Sequence, residues 1–341
     1  MDTKTLALKS GKSLNFTALG TGTAPLGNLY APISEDDAQA TLDAAYAAGS
    51  RYFDTAPLYG FGQSERRLAS FWRRKRPHAL MSTKVGRLLK LGERGPDAQP
   101  TQWFDVPARD IVYDYSYDGV MRSFEFSLER IGADRFDILY CHDIDSYTHG
   151  SREAAMKRAE EFLSGGHKAL LELREQGLVD AIGIGVNEWE VCQYVAERAD
   201  VDIFLLAGRY TLLEQEALNS FLPLCEEKGL GVVIGGPFNS GILATGAVEG
   251  AYFNYLPAPD DILARVAKIE AVCARYDVRL VEAALQFPLA HPAVVSVIPG
   301  AVAPAEVEAN RVAMTATIPP ELWQDLKAEG LIRSEAPIPA A

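Results

Sequence analysis

Short apolar runs recur along the chain, separated by longer stretches whose apolar residues fall three and four positions apart. The runs are Ala18–Gly22, Tyr52–Phe53, Ala79–Lys84, Phe136–His142, Ala181–Val186, Asp202–Leu206, Gly231–Ile234 and Val294–Ile298. Runs of this length bounded by turn residues read as fully buried strands. The intervening stretches read as helices. Ser34 caps the first, with Asp37 three residues on, and Ala38, Leu42, Ala45 and Tyr46 share its buried face until Gly49 stops it. Further helices are predicted over Gly62–Arg74, Asp118–Arg130, Glu188–Arg198, Leu213–Lys228, Asp261–Tyr276, Val281–Leu289 and Ala305–Ala313, and over Ala154–Gln176, which Gly165-Gly166 can interrupt. Ahead of them, Leu6–Phe16 alternates apolar and polar residues around Ser10-Gly11-Lys12, an N-terminal hairpin within about residues 5–17.

Strand followed by helix, about eight times, implies a parallel α/β sheet, and eight units fit a closed (β/α)8 TIM barrel better than an open sheet. No linker divides the chain, so a single domain over residues 1–341 is expected, with a flexible tail from about 334 to 341. The longest irregular stretch lies between Lys84 and Asp118 and carries Gly86, Gly92, Gly95, Pro96, Pro100, Trp103, Phe104 and Pro107. A loop of that length is functional or disordered.

Charge narrows the partners. The 341 residues carry a net charge of −13, which argues against nucleic acid or an anionic membrane surface. Cys141, Cys192, Cys225 and Cys273 are far apart in apolar contexts and read as buried free thiols. No apolar run is long enough for a bilayer, and residues 1–20 show no secretory pattern, so a cytoplasmic protein is expected.

In a parallel barrel all strand C-termini open on one face. Asp54 would end the second strand, Lys84 the third and His142 the fourth, with Tyr59 in the Pro57–Gly60 loop beyond Asp54. Each alone has an ordinary structural explanation; together they place three ionisable groups and a phenol on one rim. An ammonium beside a phenol stabilises the phenolate, and a carboxylate keeps the ammonium charged, so Tyr59 is expected to be tuned toward neutrality by Lys84 and Asp54. His142 can orient the same substrate oxygen. His142, Asp143 and Asp145 could instead suggest a metal-dependent hydrolase, but no second histidine lies at ligand spacing, and no metal is expected. A set that handles one proton at a carbonyl or carbinol oxygen needs a cofactor for the hydride.

These features resemble the aldo-keto reductase family. The matching pieces are Gly22-Thr23, Phe53–Gly60, Ser82–Lys84, Ser127–Gly132, Cys141–Asp143, Gly183–Asn187, Gly236–Gly241 and Ile298–Ala301, in the family's order. The resemblance implies a catalytic tetrad of Asp54, Tyr59, Lys84 and His142, and a nicotinamide cofactor whose carboxamide meets Asn187. It places further cofactor contacts at Gly22, Thr23, Pro237, Asn239, Gly241, Gly300, Glu306 and Asn310. Tyr113–Asp118, His142–Asp145 and Ala207–Leu213 are similar to the sugar-oxidising branch. That branch implies oxidation of an aldose of the L-fucose, D-threo-aldose or L-galactose type at C1 to the lactone, with Tyr59 as general acid/base. Oxidation of pyridoxal, general aldehyde or ketone reduction, and a cofactor-sensing regulatory subunit are the alternatives. Tyr30, Trp103 and Phe104 would bound a sugar ring or a pyridine ring equally well. Oligomeric state and direction stay open.

Three positions depart from the family pattern. Gly235 stands where many members stack an aromatic ring on the nicotinamide, leaving Phe238 as a substitute ring. Gly300 and Glu306 stand where NADP-dependent members carry cations, which points to NAD, with NADP left open by Arg311 nearby.

Overall fold

The computed structural model describes residues 1–75, 77–92 and 102–339. In chain order, the strands are β1 (Thr3–Ala7), β2 (Ser13–Thr17), β3 (Thr21–Gly22), β4 (Tyr52–Asp54), β5 (Leu80–Val85), β6 (Arg87–Leu91), β7 (Arg109–Tyr113), β8 (Ile138–His142), β9 (Ala181–Val186), β10 (Ile203–Ala207), β11 (Gly231–Gly235), β12 (Tyr252–Phe253), β13 (Leu256–Pro257) and β14 (Val294–Ile298). The helices are α1 (Glu35–Ala47), α2 (Gln63–Lys75), α3 (Tyr117–Ile131), α4 (Ser146–His149), α5 (Arg152–Glu161), α6 (His167–Glu175), α7 (Trp189–Arg198), α8 (Phe221–Lys228), α9 (Ile242–Thr245), α10 (Asp260–Arg275), α11 (Leu280–Gln286), α12 (Pro304–Thr315) and α13 (Pro320–Ala328).

Eight strands form one parallel sheet in the order β3-β4-β5-β8-β9-β10-β11-β14. Parallel bridges Leu19–Val297 and Gly22–Gly300 join its two edges and close the (β/α)8 barrel. The period of two in a strand then sorts every side chain. Tyr52, Ile138, Tyr140, Ala181, Ile203, Leu205 and Val233 fill the barrel. Phe53, Leu139, Cys141, Ile182, Ile184, Phe204, Val232 and Ile234 face the helical layer outside. The β1–β2 hairpin plugs the opposite end from the strand C-termini: Leu6, Leu8, Leu14 and Phe16 join the interior cluster, and Phe16 packs edge-on against Tyr52 at 5.0 Å. All four cysteines are buried and free, and no helix among the described residues is long and apolar enough to cross a membrane.

Four elements differ from the sequence reading. The stretch after Lys84 is not simply irregular, because β6 and β7 pair antiparallel from Arg87–Tyr113 to Leu91–Arg109. Gly95, Pro96 and Pro100 lie outside the described residues. The helix over 154–176 is not broken at its glycines. A π turn over Phe162–Gly166 joins α5 to α6, and Gly166 is needed there because a Cβ would lie 2.4 Å from the Tyr115 carbonyl oxygen. The stretch 213–228 is a 3₁₀ turn over Glu216–Asn219 followed by α8, whose first turn holds Pro223, where a missing N–H costs nothing. In the C-terminal segment, read as flexible, Ala336 is buried and Ile338 packs on the outer core.

Candidate active site

The last inward-facing positions of three strands carry ionisable side chains. Along β4 the inward series is Tyr52, Asp54; along β5 it is Leu80, Ser82, Lys84; along β8 it is Ile138, Tyr140, His142. Asp54 pairs in register with Ser82, and Lys84 with Tyr140. The three strands are neighbours, so a period of two delivers their polar ends to one patch of the rim.

Lys84 is 1% exposed and uses all three of its donors. Its Nζ donates to Asp54 Oδ2 at 2.6 Å, to the Thr55 carbonyl at 2.9 Å and to the Tyr59 hydroxyl at 3.0 Å. Ser82 Oγ donates to the other Asp54 oxygen at 2.7 Å and meets the Tyr52 hydroxyl at 2.9 Å, which in turn lies 3.2 Å from the Tyr140 hydroxyl. Burial works against both charges, pushing the Asp54 carboxyl up and the Lys84 ammonium down, and their mutual contact works the other way.

Tyr59 is placed by a close backbone approach. The loops around Gly27 and Gly60 touch so tightly that a Cβ on Gly60 would lie 2.3 Å from the Gly27 carbonyl oxygen. Trp103 is brought over Tyr59 by a short antiparallel contact. Tyr30 N–H donates to Gln102 O at 2.7 Å and Phe104 N–H to Asn28 O at 3.0 Å, leaving the Trp103 and Tyr59 rings stacked at 6.0 Å. Tyr30 and Phe104 flank this contact and are exposed. The Tyr59 phenol is not drawn toward neutrality here. Burial, then the carboxylates of Asp54 and Asp143, push it well above the usual tyrosine range, and Arg87 is the cation that opposes them. Lys84 is already matched by Asp54 at 2.6 Å, so the pair presents little net charge to the phenol.

His142 lies edge-on to Tyr59 with ring centroids 6.0 Å apart. Burial and the charges of Arg87 and Lys84 hold its pKa far below the usual value, so it is neutral. Its Nε2 is 3.1 Å from Asp143 Oδ2. Asp143 also pairs with Arg87, whose Nη2 reaches Thr148 Oγ1 at 3.2 Å. Sequence reasoning placed no role on Arg87, although it lies only three residues beyond Lys84. Asp143 stands in the sequence within the family match Cys141–Asp143 and as a conceivable metal ligand, with no role of its own.

The expected cofactor residues fall into three groups. Asn187 is half-buried after β9. Its Nδ2 lies 3.4 Å from Asp143 Oδ1 and 3.4 Å from Asp145 Oδ2, while its backbone N–H donates to Asp145 at 2.8 Å. Gly22, Gly300, Glu306 and Asn310 gather where the barrel closes. Glu306 caps the start of α12 by accepting the Val302 N–H at 2.9 Å, and Arg311 is paired with Glu308 rather than aimed at this corner. Pro237, Asn239 and Gly241 follow β11, but the Asn239 side chain is spent on its own loop, donating to Gly208 O at 3.0 Å and accepting from Thr211 at 2.5 Å. Thr23 is likewise occupied, donating to the Asp54 carbonyl at 2.7 Å. Phe238 packs against the apolar layer outside the barrel.

A flat, amide-bearing ring fits this arrangement. Gly235 leaves the inner rim of β11 without a side chain, Asn187 offers a primary amide, and His142 Nδ1 and Arg87 Nε are buried with no hydrogen-bond partner among the described residues.

The sequence pattern of the Aldo/keto reductase family matches residues 18–329. The pyridoxal 4-dehydrogenase of Microbacterium luteolum is 45% identical over 331 residues, 94% of this chain and 95% of that protein. The D-threo-aldose 1-dehydrogenase of a Pseudomonas species is 40% identical over 326 residues, 94% of this chain and 95% of that protein. Among solved structures, an aldo-keto reductase from Bacillus halodurans in its holo form superposes with a TM-score of 0.76 at 24% identity, covering 98% of each chain.

Proposed function

The chain belongs to the aldo/keto reductase family of oxidoreductases, and we propose that it oxidises a cyclic hemiacetal to a lactone with NAD. The observation that carries this reading is the Lys84–Tyr59 contact at 3.0 Å beneath the stacked Trp103 ring. Two relatives are named for pyridoxal and for a D-threo-aldose. In water both compounds close on themselves, giving a ring carbon that carries one hydrogen and one hydroxyl beside a ring oxygen. Loss of hydride from that carbon and of a proton from its hydroxyl gives a lactone in either case.

The nicotinamide supplies the hydride acceptor when bound. Asn187 would hold its carboxamide and Gly235 would leave room for its ring. Tyr59, as phenolate, takes the proton from the hemiacetal hydroxyl, and as phenol returns it in the reverse direction. His142, neutral, orients the same oxygen, and Trp103 covers the substrate ring. Because burial and two carboxylates raise the Tyr59 pKa, the oxidation rate should climb with pH into the alkaline range. Glu306 at the start of α12 supports NAD over NADP, since a carboxylate there repels a 2′-phosphate and can accept a hydrogen bond from a ribose hydroxyl.

The test is NAD reduction by L-fucose, L-galactose, D-arabinose, L-glucose and pyridoxal, with the lactone identified by mass. Methyl fucoside, whose C1 oxygen is blocked, should be inert. NAD binding without turnover of any of these would overturn the reading in favour of a cofactor-sensing role.

A further inference from the structure

The tetrad leaves one buried ion pair unexplained. Arg87 opens β6 just past Gly86, and Asp143 follows His142 at the end of β8, in a left-handed turn with φ of 53°. Both side chains are 8% exposed. A buried pair is a poor source of stability, because desolvation offsets its attraction. Its placement is more informative. Asp143 Oδ2 meets Arg87 and the Nε2 of His142, while Oδ1 faces the amide of Asn187 at 3.4 Å. One carboxylate therefore touches the group assigned to the substrate oxygen and the group assigned to the cofactor amide.

We propose that Asp143, anchored by Arg87, is a positioning residue that aligns His142 and Asn187 together, and that this alignment requires Asp143 to be ionised. The proposal rests on the roles given above to His142 and Asn187. A carboxylate accepts on both oxygens. A carboxylate 3.1 Å from His142 Nε2 favours the tautomer with the proton on that nitrogen without taking it up in a hydrogen bond, and as an acceptor Asp143 draws the Asn187 NH2 toward itself, so the amide oxygen of Asn187 is the part left for the cofactor. Protonation would turn one oxygen into a donor facing N–H groups and release that arrangement.

The surroundings decide where this happens. Asp143 is faced by Arg87 from β6, Lys84 from β5, Asp145 from its own loop, His142 and the Cys141 thiol from β8, Asn187 beyond β9, Thr148 and His149 on α4, and the phenols of Tyr59, Tyr115, Tyr147 and Tyr255. Burial raises its pKa, Arg87 and Lys84 lower it, and Asp145 raises it, with the result at about 7. The ionised form is therefore gained as pH rises through neutrality.

Two readouts test this, NAD affinity by fluorescence titration and kcat/KM with a turned-over hemiacetal, each from about pH 5.5 to 9. In the wild type both should improve about tenfold as pH rises through neutrality, the scale of a hydrogen bond to a charged group. Asp143→Asn should lose this acid limb in both readouts while keeping the alkaline rise that belongs to Tyr59. Asp143→Asn leaves the Arg87 cation buried without its partner, so the double variant Arg87→Met/Asp143→Asn, which removes both charges, is measured alongside with thermal unfolding as the check on folding. NAD affinity needs no turnover, so a wrong substrate class leaves this test intact. A wild-type acid limb retained in either folded variant would overturn the proposal.

Discussion

The two halves of the barrel rim are built to opposite rules. On β4, β5, β8 and just beyond β9 the last inward positions are Asp54, Lys84, His142 and Asn187, knitted together with Tyr59, Arg87 and Asp143. Across the mouth, β10, β11, β14 and β3 end in Ala207, Gly235, Ile298 and Gly22, with no titratable side chain at all. One half concentrates charge in a small buried network, where each group is held by two or three others. The other carries no charge, and on the proposed reading the cofactor takes the space left beside Gly235 and Gly22. Neither half suffices alone: charges without space have nothing to act on, and space without charges moves no proton.

The largest effect should come from breaking the charged half at its centre. Lys84→Met leaves Asp54 buried without its cation, and a loss of about 3–5 kcal/mol in denaturant unfolding is expected. Asp54 is then pushed further above its unfolded pKa, so the native state binds more protons than the unfolded one. The variant should therefore be most stable at low pH and lose stability as pH rises toward neutral. Tyr59→Phe keeps the network but removes the proposed proton carrier. Turnover should fall at least ~100-fold with NAD affinity retained, and near-native turnover would remove Tyr59 from the role given to it. A change in the small half should separate the two functions. Gly235→Leu places a Cβ 3.1 Å from Leu205 and fills the open rim. NAD affinity should weaken about tenfold, or about 1.4 kcal/mol, with the pH–rate profile unchanged in shape. Equal in size is Glu306→Arg, at the outer edge of the same half, which should shift the kcat/KM ratio of NAD to NADP about tenfold toward NADP. An unchanged ratio would mean that Glu306 does not face the ribose.

The barrel and the gathering of Asp54, Lys84, His142 and Tyr59 on one rim were legible because both follow from local rules. Runs ending in Asp54, Lys84 and His142 needed only a period of two and a parallel sheet to bring their ends together. The Arg87–Asp143 pair was not legible, since it depends on a left-handed backbone at Asp143 and on where β6 leaves the barrel after Gly86. The β6–β7 hairpin was missed because its two strands are separated by 17 residues, from Gly92 to Ala108, rather than by a tight turn. Trp103 was found as a candidate ring, but its seat over Tyr59 comes from backbone pairing with Leu29, which no side-chain pattern announces. Asn239 failed in the other direction: its residue type suits a ligand contact, and the fold spends it on a turn.

The hairpin plug has a consequence for traffic. With Leu6, Leu8, Leu14 and Phe16 closing the far end and side chains filling the interior, Asp54, Lys84 and His142 are approached from the rim at the strand C-termini. On the proposed reading cofactor and substrate share that rim, and whichever sits deeper arrives first and departs last. Steady-state kinetics should therefore show a compulsory order, with a dead-end complex when the shallower partner enters before the used deeper one has left.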